Sequence, residues 1–360
     1  MKIKDIGTVV TGKTPQTSHA EYYGGKYMFV TPTELHGGYK VSHSEKTITE
    51  EGLNSIKTNS IDGTSVLIGC IGWDMGNVAM CFDRCASNQQ INSITNISED
   101  YNPFYLYYWL CTKKEYLFSI ASVTRTPILS KGVFEDIEIP EIKRADQDKV
   151  ADVLLAIDKK IEANTAINDN LAQMAHMTYM HLFFGKPANG RIGDILIEKP
   201  KSTVQVGEAK DASGDFPFYT SGDAILRWSE PIVDGRNCFL NTGGNAGVKF
   251  YVGKAAYSTD TWCVTARDNL SDYLYLILDS IRLELNQKFF QGTGLKHLQK
   301  PMLKDRPIYI PTDSEKEAFN KSVSPWLSMI SENIRESQRL VTLRDWLLPM
   351  LMNGQAVLSD

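Results

Sequence analysis

The phrase Lys2-Ile3-Lys4-Asp5-Ile6 returns as Arg191-Ile192-Gly193-Asp194-Ile195, and the segments after each copy come in the same order. A duplicated plan constrains the fold more than any single motif, because each copy must bury its own apolar residues in the same way. Tyr27-Met28-Phe29-Val30 in one half and Phe216-Pro217-Phe218-Tyr219 in the other sit among Gly, Ser, Thr and Asn, which predicts short strands joined by turns. A strand with a glycine-rich exit follows in each half, "TSVLIGCIGWDMGNVAMC" and then "NCFLNTGGNAGVKFYVG". "YNPFYLYYWLC" and "LSDYLYLILDS" predict a short amphipathic helix, and each half closes on an Ile-Pro strand exit, Ile139-Pro140 and Ile310-Pro311.

After each Ile-Pro the period becomes helical. Val150, Leu154, Ile157 and Ile161 recur at steps of four and three, continued by Asn164, Asn168 and Leu171. Phe319, Val323, Trp326, Ile330, Ser337 and Val341 do the same, with one slip at Ile334. So narrow a stripe is that of a coiled-coil seam, and each rod is ~50–60 Å long at the rise of an α-helix. Either helix could instead pack on its own domain, but the length and the narrow stripe favour pairing of the two. Asn164 and Asn168 would then fix the register. The expected fold is α+β: two pseudo-symmetric mixed α/β domains joined by two long antiparallel coiled-coil helices. The expected boundaries are a first domain at 1–144, a central helix at 145–184, a linker at 185–190, a second domain at 191–311 and a C-terminal helix at 312–353. Two like heads at the ends of a rod suit the reading of two half-sites on a duplex.

A net charge of −5 speaks against nucleic acid until its distribution is considered. Residues 145–184 hold three Lys/Arg against six Asp/Glu and residues 312–353 hold five against six, so the helices carry nearly all of the excess. The rest of the chain is close to neutral and has room for a basic face. Six cysteines without a C-x-x-C pair do not form a disulfide framework. Cys81 and Cys85 with His36 or His43 are a conceivable zinc set, against which buried thiols are the ordinary reading. The N-terminal segment is charged where a signal peptide is apolar, and no apolar run is long enough to span a membrane, so a cytoplasmic protein is expected.

No phosphate-binding loop, H-E-x-x-H helix or G-x-S-x-G elbow occurs. Asn241-Thr242-Gly243-Gly244-Asn245-Ala246-Gly247 lacks the spacing of a dinucleotide fingerprint. Asn102-Pro103-Phe104-Tyr105 is similar to the Asn-Pro-Pro-Tyr/Phe motif of amino-methyltransferases but has a single proline, and an N-cap followed by proline at the first helical position accounts for it. His176 and His181 fit packing or capping roles. No catalytic or metal-binding residues are expected.

The double plan, the Ile-Pro exits and the paired helices together closely resemble the DNA-specificity subunit of type I restriction-modification enzymes, over nearly the whole chain. The phrases that carry the resemblance are Ser87-Asn88-Gln89-Gln90, "FVTPTEL" at 29–35, "GTGLKHL" at 292–298 and "ADQDKVADVLLAIDKKIEANTAINDNLAQMAHMTYMHLFF" at 145–184. The resemblance implies two target-recognition domains, each reading half of a bipartite sequence in double-stranded DNA, with the helices as spacer. It also implies docking of two methyltransferase subunits on those helices, joined by restriction subunits (translocase and nuclease). S-adenosylmethionine, ATP and magnesium would belong to those partners and none to this chain. Two departures stand out: the chain starts almost directly in the first domain, and Tyr257-Ser258-Thr259-Asp260-Thr261-Trp262 replaces the Asn-Gln pair in the second half.

Bases are read by Asn, Gln, Arg and Lys and more loosely by Ser and Thr, and phosphates by cations, hydroxyls and backbone amides. In the first domain the candidates are Lys13, Thr14, Gln16, Thr31, Thr33, Trp73, Asn77, Thr124 and Arg125, with Asn88 and Gln89 either touching DNA or bracing a strand. The second domain offers Lys199, Lys201, Ser202, Ser221, Asn241, Asn245, Lys249, Thr293, Lys296 and His297. Three rivals remain: a single-chain DNA enzyme, a scaffold with two non-DNA heads, and a specificity subunit of another multi-subunit restriction system.

Overall fold

The structure, a computed structural model, describes residues 1–123, 125–210 and 212–356. The chain divides into two compact units, Met1–Lys160 with Leu340–Asp360, and Ile161–Arg339. No helix among the described residues is long and apolar enough to cross a membrane.

The repeated opening phrase does the same work in each unit. Asp5 accepts a hydrogen bond from the Lys2 backbone amide at 2.8 Å, and Asp194 accepts one from Arg191 at 2.7 Å, so each aspartate caps a one-turn helix, Ile3–Ile6 or Ile192–Ile195. All four of these isoleucines are buried. The short helix is tied back to the end of its own half, by Ile3 N to Ile137 O and by Ile192 N to Arg306 O, both 3.0 Å.

In the first unit the central sheet is antiparallel, in the order Thr8–Thr11, Ile91–Thr95, Ser65–Gly69, Val78–Cys81. Ser65–Gly69 is buried on both faces, which explains its unbroken apolar reading. Its side chains alternate: Val66 and Ile68 meet Tyr105, Leu106 and Leu154, whereas Leu67 meets Val30, Ile61 and Cys85 of a second sheet. That sheet runs Lys46–Ile48, Tyr23–Val30, Cys85–Ser87, Ser60–Ile61, with Tyr23–Val30 parallel to Cys85–Ser87. The helix Pro103–Cys111 is not amphipathic as expected: Tyr105 through Leu110 are all buried, because the sheet covers one side and the long helices another. Asn102 caps it, accepting from the amides of Phe104 and Tyr105 at 2.8 and 3.2 Å.

The second unit repeats this order with Leu196–Glu198, Thr261–Ala266, Arg236–Asn241 and Val248–Val252. Its second sheet has three strands, Leu226–Trp228, Phe216–Tyr219 and Ala256–Tyr257, the last two parallel. Cys238, Leu240 and Val264 face the helix Ser271–Ser280, and Phe239 and Cys263 face Tyr219 and Tyr257.

The long helices run Arg144–Phe183 and Asp313–Met352. Within the first unit Ala151 and Leu154 share a core with Leu351 and Met352, and Arg344 reaches Asp158 at 2.8 Å. Within the second unit Asn164 donates to Glu336 and Ser337 at 2.8 and 3.2 Å, Asn333 donates to Asn168 at 2.8 Å, and the rings of Phe183 and Phe319 meet edge to face at 5.3 Å. Partner numbers fall on one helix as they rise on the other, so the pairing is antiparallel.

Of the expected seam, Leu154, Ile157, Asn164, Phe319 and Val323 are buried, while Val150, Ile161, Asn168, Leu171, Trp326, Ile330, Ile334 and Val341 are half-buried. The stripe is also wider than a strict seam. Ala175, Tyr179, Phe183 and Leu327 are buried in the second core and Leu155 in the first. The helices therefore pack on the domains as well as on each other, a mixture of the two alternatives the periodicity offered.

Candidate nucleic-acid interface

Strand register sets which loops meet. In the first unit Thr11 lies opposite Asn92, and Gly69 lies opposite Ile91, so these strand ends share one edge of the central sheet. In the second sheet Val30 pairs with Ser87, which brings Thr31 beside Asn88, and Asn88 N donates to Val30 O at 3.0 Å. Gly12 N donates to Ile91 O at 3.0 Å, and Thr14 donates its hydroxyl to Gln89 Oε1 at 3.0 Å. Lys13, Thr14, Thr31, Asn88 and Gln89 are thereby gathered at one end of the unit. Lys13, Gln16, Thr33 and Gln89 are exposed there.

Several of these side chains are already engaged. Asn88 Oδ1 accepts from the Gln90 amide at 3.1 Å and its Nδ2 donates to Gln90 Oε1 at 3.0 Å, so it braces a turn. The Thr31 hydroxyl donates to Glu34 at 2.7 Å within a capping box. Burial pushes the Glu34 carboxyl up, but the Thr31 hydroxyl with the backbone amides of Glu45, Thr31 and Glu34 outweighs it and holds the pKa below its ordinary value.

Next to this cluster runs the turn 70–77. Cys70 N donates to Gln90 O at 2.7 Å, and Leu129 N to Cys70 O at 2.9 Å, which joins the turn to the hairpin of Ser122–Val123 and Pro127–Ile128. Trp73 projects from the turn and Arg125 is exposed on the hairpin; Thr124 lies outside the described residues. Asn77 Oδ1 accepts from Lys114 Nζ at 2.8 Å. His36 Nε2 lies 3.0 Å from Asp74 and 3.2 Å from Asn77 Nδ2, and as a single nitrogen it serves one of them at a time. Sequence reasoning missed Lys114 and the Phe118 ring beside Trp73 and weighed His36 only as a zinc ligand, since nothing local marks residues brought in from other elements.

In the second unit the equivalent edge is knotted around Asp260. Its carbonyl accepts from the Ser221 hydroxyl at 2.7 Å, the Thr242 amide at 3.1 Å and the Thr242 hydroxyl at 2.9 Å. Asn241 Nδ2 donates to the carbonyls of Ser221 and Asn245 at 2.9 and 3.1 Å. The hairpin Phe290–Gln291 and His297–Leu298 docks against Gly243 and Thr242, through Gly244 N to Lys296 O at 2.9 Å and Leu298 N to Thr242 O at 3.0 Å. Ser221, Asn241, Asn245, Lys249, Lys296 and His297 thus converge, with exposed Thr293 and Leu295 at the hairpin tip.

Three candidates of this unit point inward. Ser202 is buried and its hydroxyl accepts from the Val204 amide. Asn241 is buried too and serves as a brace. Lys249 donates to the carbonyls of Thr220, at 2.7 Å, and Gly222, and burial pushes its ammonium pKa down. Lys199 is half-buried and Lys201 exposed at the end of the first strand, where Lys199 N donates to Cys263 O at 3.0 Å.

Cys81 and Cys85 lie buried with their sulfurs 3.1 Å apart. Among the described residues no group of three His, Cys, Asp or Glu side chains is placed to hold a metal.

The family model for the type I restriction modification DNA specificity domain matches residues 1–173 and again 188–336. The chain is 25% identical over 405 aligned residues to the type I restriction enzyme MjaIX specificity subunit of Methanocaldococcus jannaschii, covering 98% of this chain and 92% of the relative. It is 28% identical over 190 residues to the HindI specificity subunit of Haemophilus influenzae, which covers 51% of this chain and 40% of that protein. The fold is shared with the crystal structure of a type I restriction-modification S subunit from M. genitalium, with a TM-score of 0.63 and 15% identity over 98% of this chain and 95% of the other.

Proposed function

The chain belongs to the type I restriction modification DNA specificity family, and from that premise we propose that its two units read the two halves of a bipartite target in duplex DNA. The observation that carries this reading is one backbone plan built twice with two different edges. The first presents Lys13, Gln16, Gln89 and Arg125, the second Asn245, Thr293, Lys296 and His297. Those groups are of the kind that contact phosphates and base edges, and two unlike sets suit an asymmetric target.

The long helices set the spacing between half-sites and dock two methyltransferase subunits. Support comes from apolar residues left in water. In the second unit Ile167, Met174, Met177 and Phe184 are exposed at helical spacing, and in the first Leu343 and Trp346 are exposed on the second helix. Such faces fit helices of a partner. Restriction subunits complete the assembly in the cytoplasm. Catalysis, with its S-adenosylmethionine, ATP and magnesium, resides in those partners, and this chain supplies recognition.

Selection of random duplexes by the chain together with its methyltransferase partner tests the reading. A two-part motif with a fixed gap is expected, and adenine methylation at that motif should vanish from cells that lack the chain. Enrichment of no motif, or of a single undivided one, overturns it.

A further inference from the structure

Trp73 has the highest exposure of any large apolar side chain among the described residues, at 81%. Its loop is nevertheless pinned. Gly72 N donates to Pro127 O at 2.9 Å, Gly76 N to Gly69 O at 2.9 Å, and the neighbouring Met75 is fully buried. Gly72 and Gly76 have φ of +86° and +80°, and these left-handed positions close the turn that pushes residue 73 outward. The indole lies beside the Phe118 ring, with centroids 6.5 Å apart and planes 24° from parallel, and keeps most of its surface in water.

What surrounds this ring identifies its partner. Arg125 is exposed on the hairpin whose Pro127 carbonyl holds Gly72, and Lys114 reaches the same turn at Asn77. A flat apolar face on a pinned turn, to which Lys114 and the Arg125 hairpin are both tied, matches a base stack between phosphates. The corresponding turn of the second unit, Thr242 to Gly247, contains no aromatic residue.

Resting on the DNA-reading role above, we propose that Trp73 is a wedge that enters between adjacent base pairs of the half-site read by the first unit, unstacking one step there. The second unit reads its half-site without such a wedge. Trp73 thereby adds selectivity for an easily unstacked step at a position where the protein makes no hydrogen bond to a base.

The test uses the full chain with its methyltransferase partner on duplexes carrying the selected motif, with 2-aminopurine placed in turn through both half-sites. With the adenines that the methyltransferase flips out left unsubstituted, the wild-type complex should brighten the probe at one step of the first half-site and at none of the second. W73A should abolish that signal and weaken binding ~10-fold, while W73F keeps part of both. The side chain is exposed, so the variants are expected to fold, and unchanged thermal unfolding verifies it. A signal that survives in W73A, or no bright step in the wild type, overturns the wedge and leaves DNA reading intact. Failure of the wild-type complex to bind any duplex motif removes the DNA-reading role itself.

Discussion

The guanidinium of Arg344, on the second long helix, lies 2.8 Å from one oxygen of the buried Asp158 carboxylate, and the Tyr108 hydroxyl donates to the other oxygen at 2.6 Å. One charge thus joins both long helices to the core helix of the first unit. R344M leaves that carboxylate buried without its cation and should lower stability to urea by about 3 kcal/mol. Adding D158N should recover much of the loss, because no lone charge then stays inside.

Glu315 begins the second helix under four donors: Lys186 Nζ at 2.6 Å, the Tyr309 hydroxyl at 2.8 Å, and the Thr312 amide and hydroxyl, both at 2.9 Å. Led by the Lys186 hydrogen bond, they hold its pKa at about 2, against an ordinary 4.5. A depressed carboxylate contributes stability that is present above its unfolded pKa and lost as pH falls through the folded one. Acid unfolding of E315Q should therefore show a shallower loss of stability between about pH 4.5 and 2 than the wild type. Titration curves that superimpose would refute the assignment.

Lys296 and Lys249 are both candidate lysines at the edge of the second unit, yet one is exposed and the other is held by two backbone carbonyls. K296A should reduce the slope of log affinity against log salt by about 1, the mark of one lost phosphate contact. K249M should leave that slope unchanged and lower the unfolding midpoint instead. Equal slopes for both variants would count against the inward role of Lys249.

At Gly12 an added Cβ would fall 2.1 Å from Asn88 O and 2.5 Å from Ser87 O, both backbone atoms that have no easy retreat. G12A should cost about 2 kcal/mol by overpacking and push Lys13 and Thr14 away from the Asn88–Gln89 turn. Footprints of the assembled complex should then lose protection over the first half-site and keep it over the second.

Much of this architecture is legible in the primary structure. The repeated Ile-x-Asp-Ile phrases mark equivalent capped turns, the changes of period after Ile139-Pro140 and Ile310-Pro311 mark the starts of both long helices, and Asn164 and Asn168 do meet the opposite helix. The candidate edges are legible only in part. Ser202, Asn241 and Lys249 look like surface groups in a turn-rich stretch, but Ser202 is buried and takes the Val204 amide two residues on, while Asn241 and Lys249 are claimed by the carbonyls of Ser221 and Thr220, in a loop 20 or more residues away. Local pattern reports which residues can bond to DNA; whether the bond is already spent inside the protein depends on tertiary register. The width of the helical stripe escaped for the same reason, since Ala175, Tyr179 and Leu327 become core only because a domain lies beside them.

In both units the Ile-x-Asp-Ile turn is committed to capping and burial, at a distance in the chain from the loops that carry the exposed Arg125 and Lys296. Scaffold and alphabet are thereby mutationally separate. Substitution of the exposed edge residues of one unit leaves those capped turns untouched, so the chemistry of one edge can change without rebuilding the core beneath it.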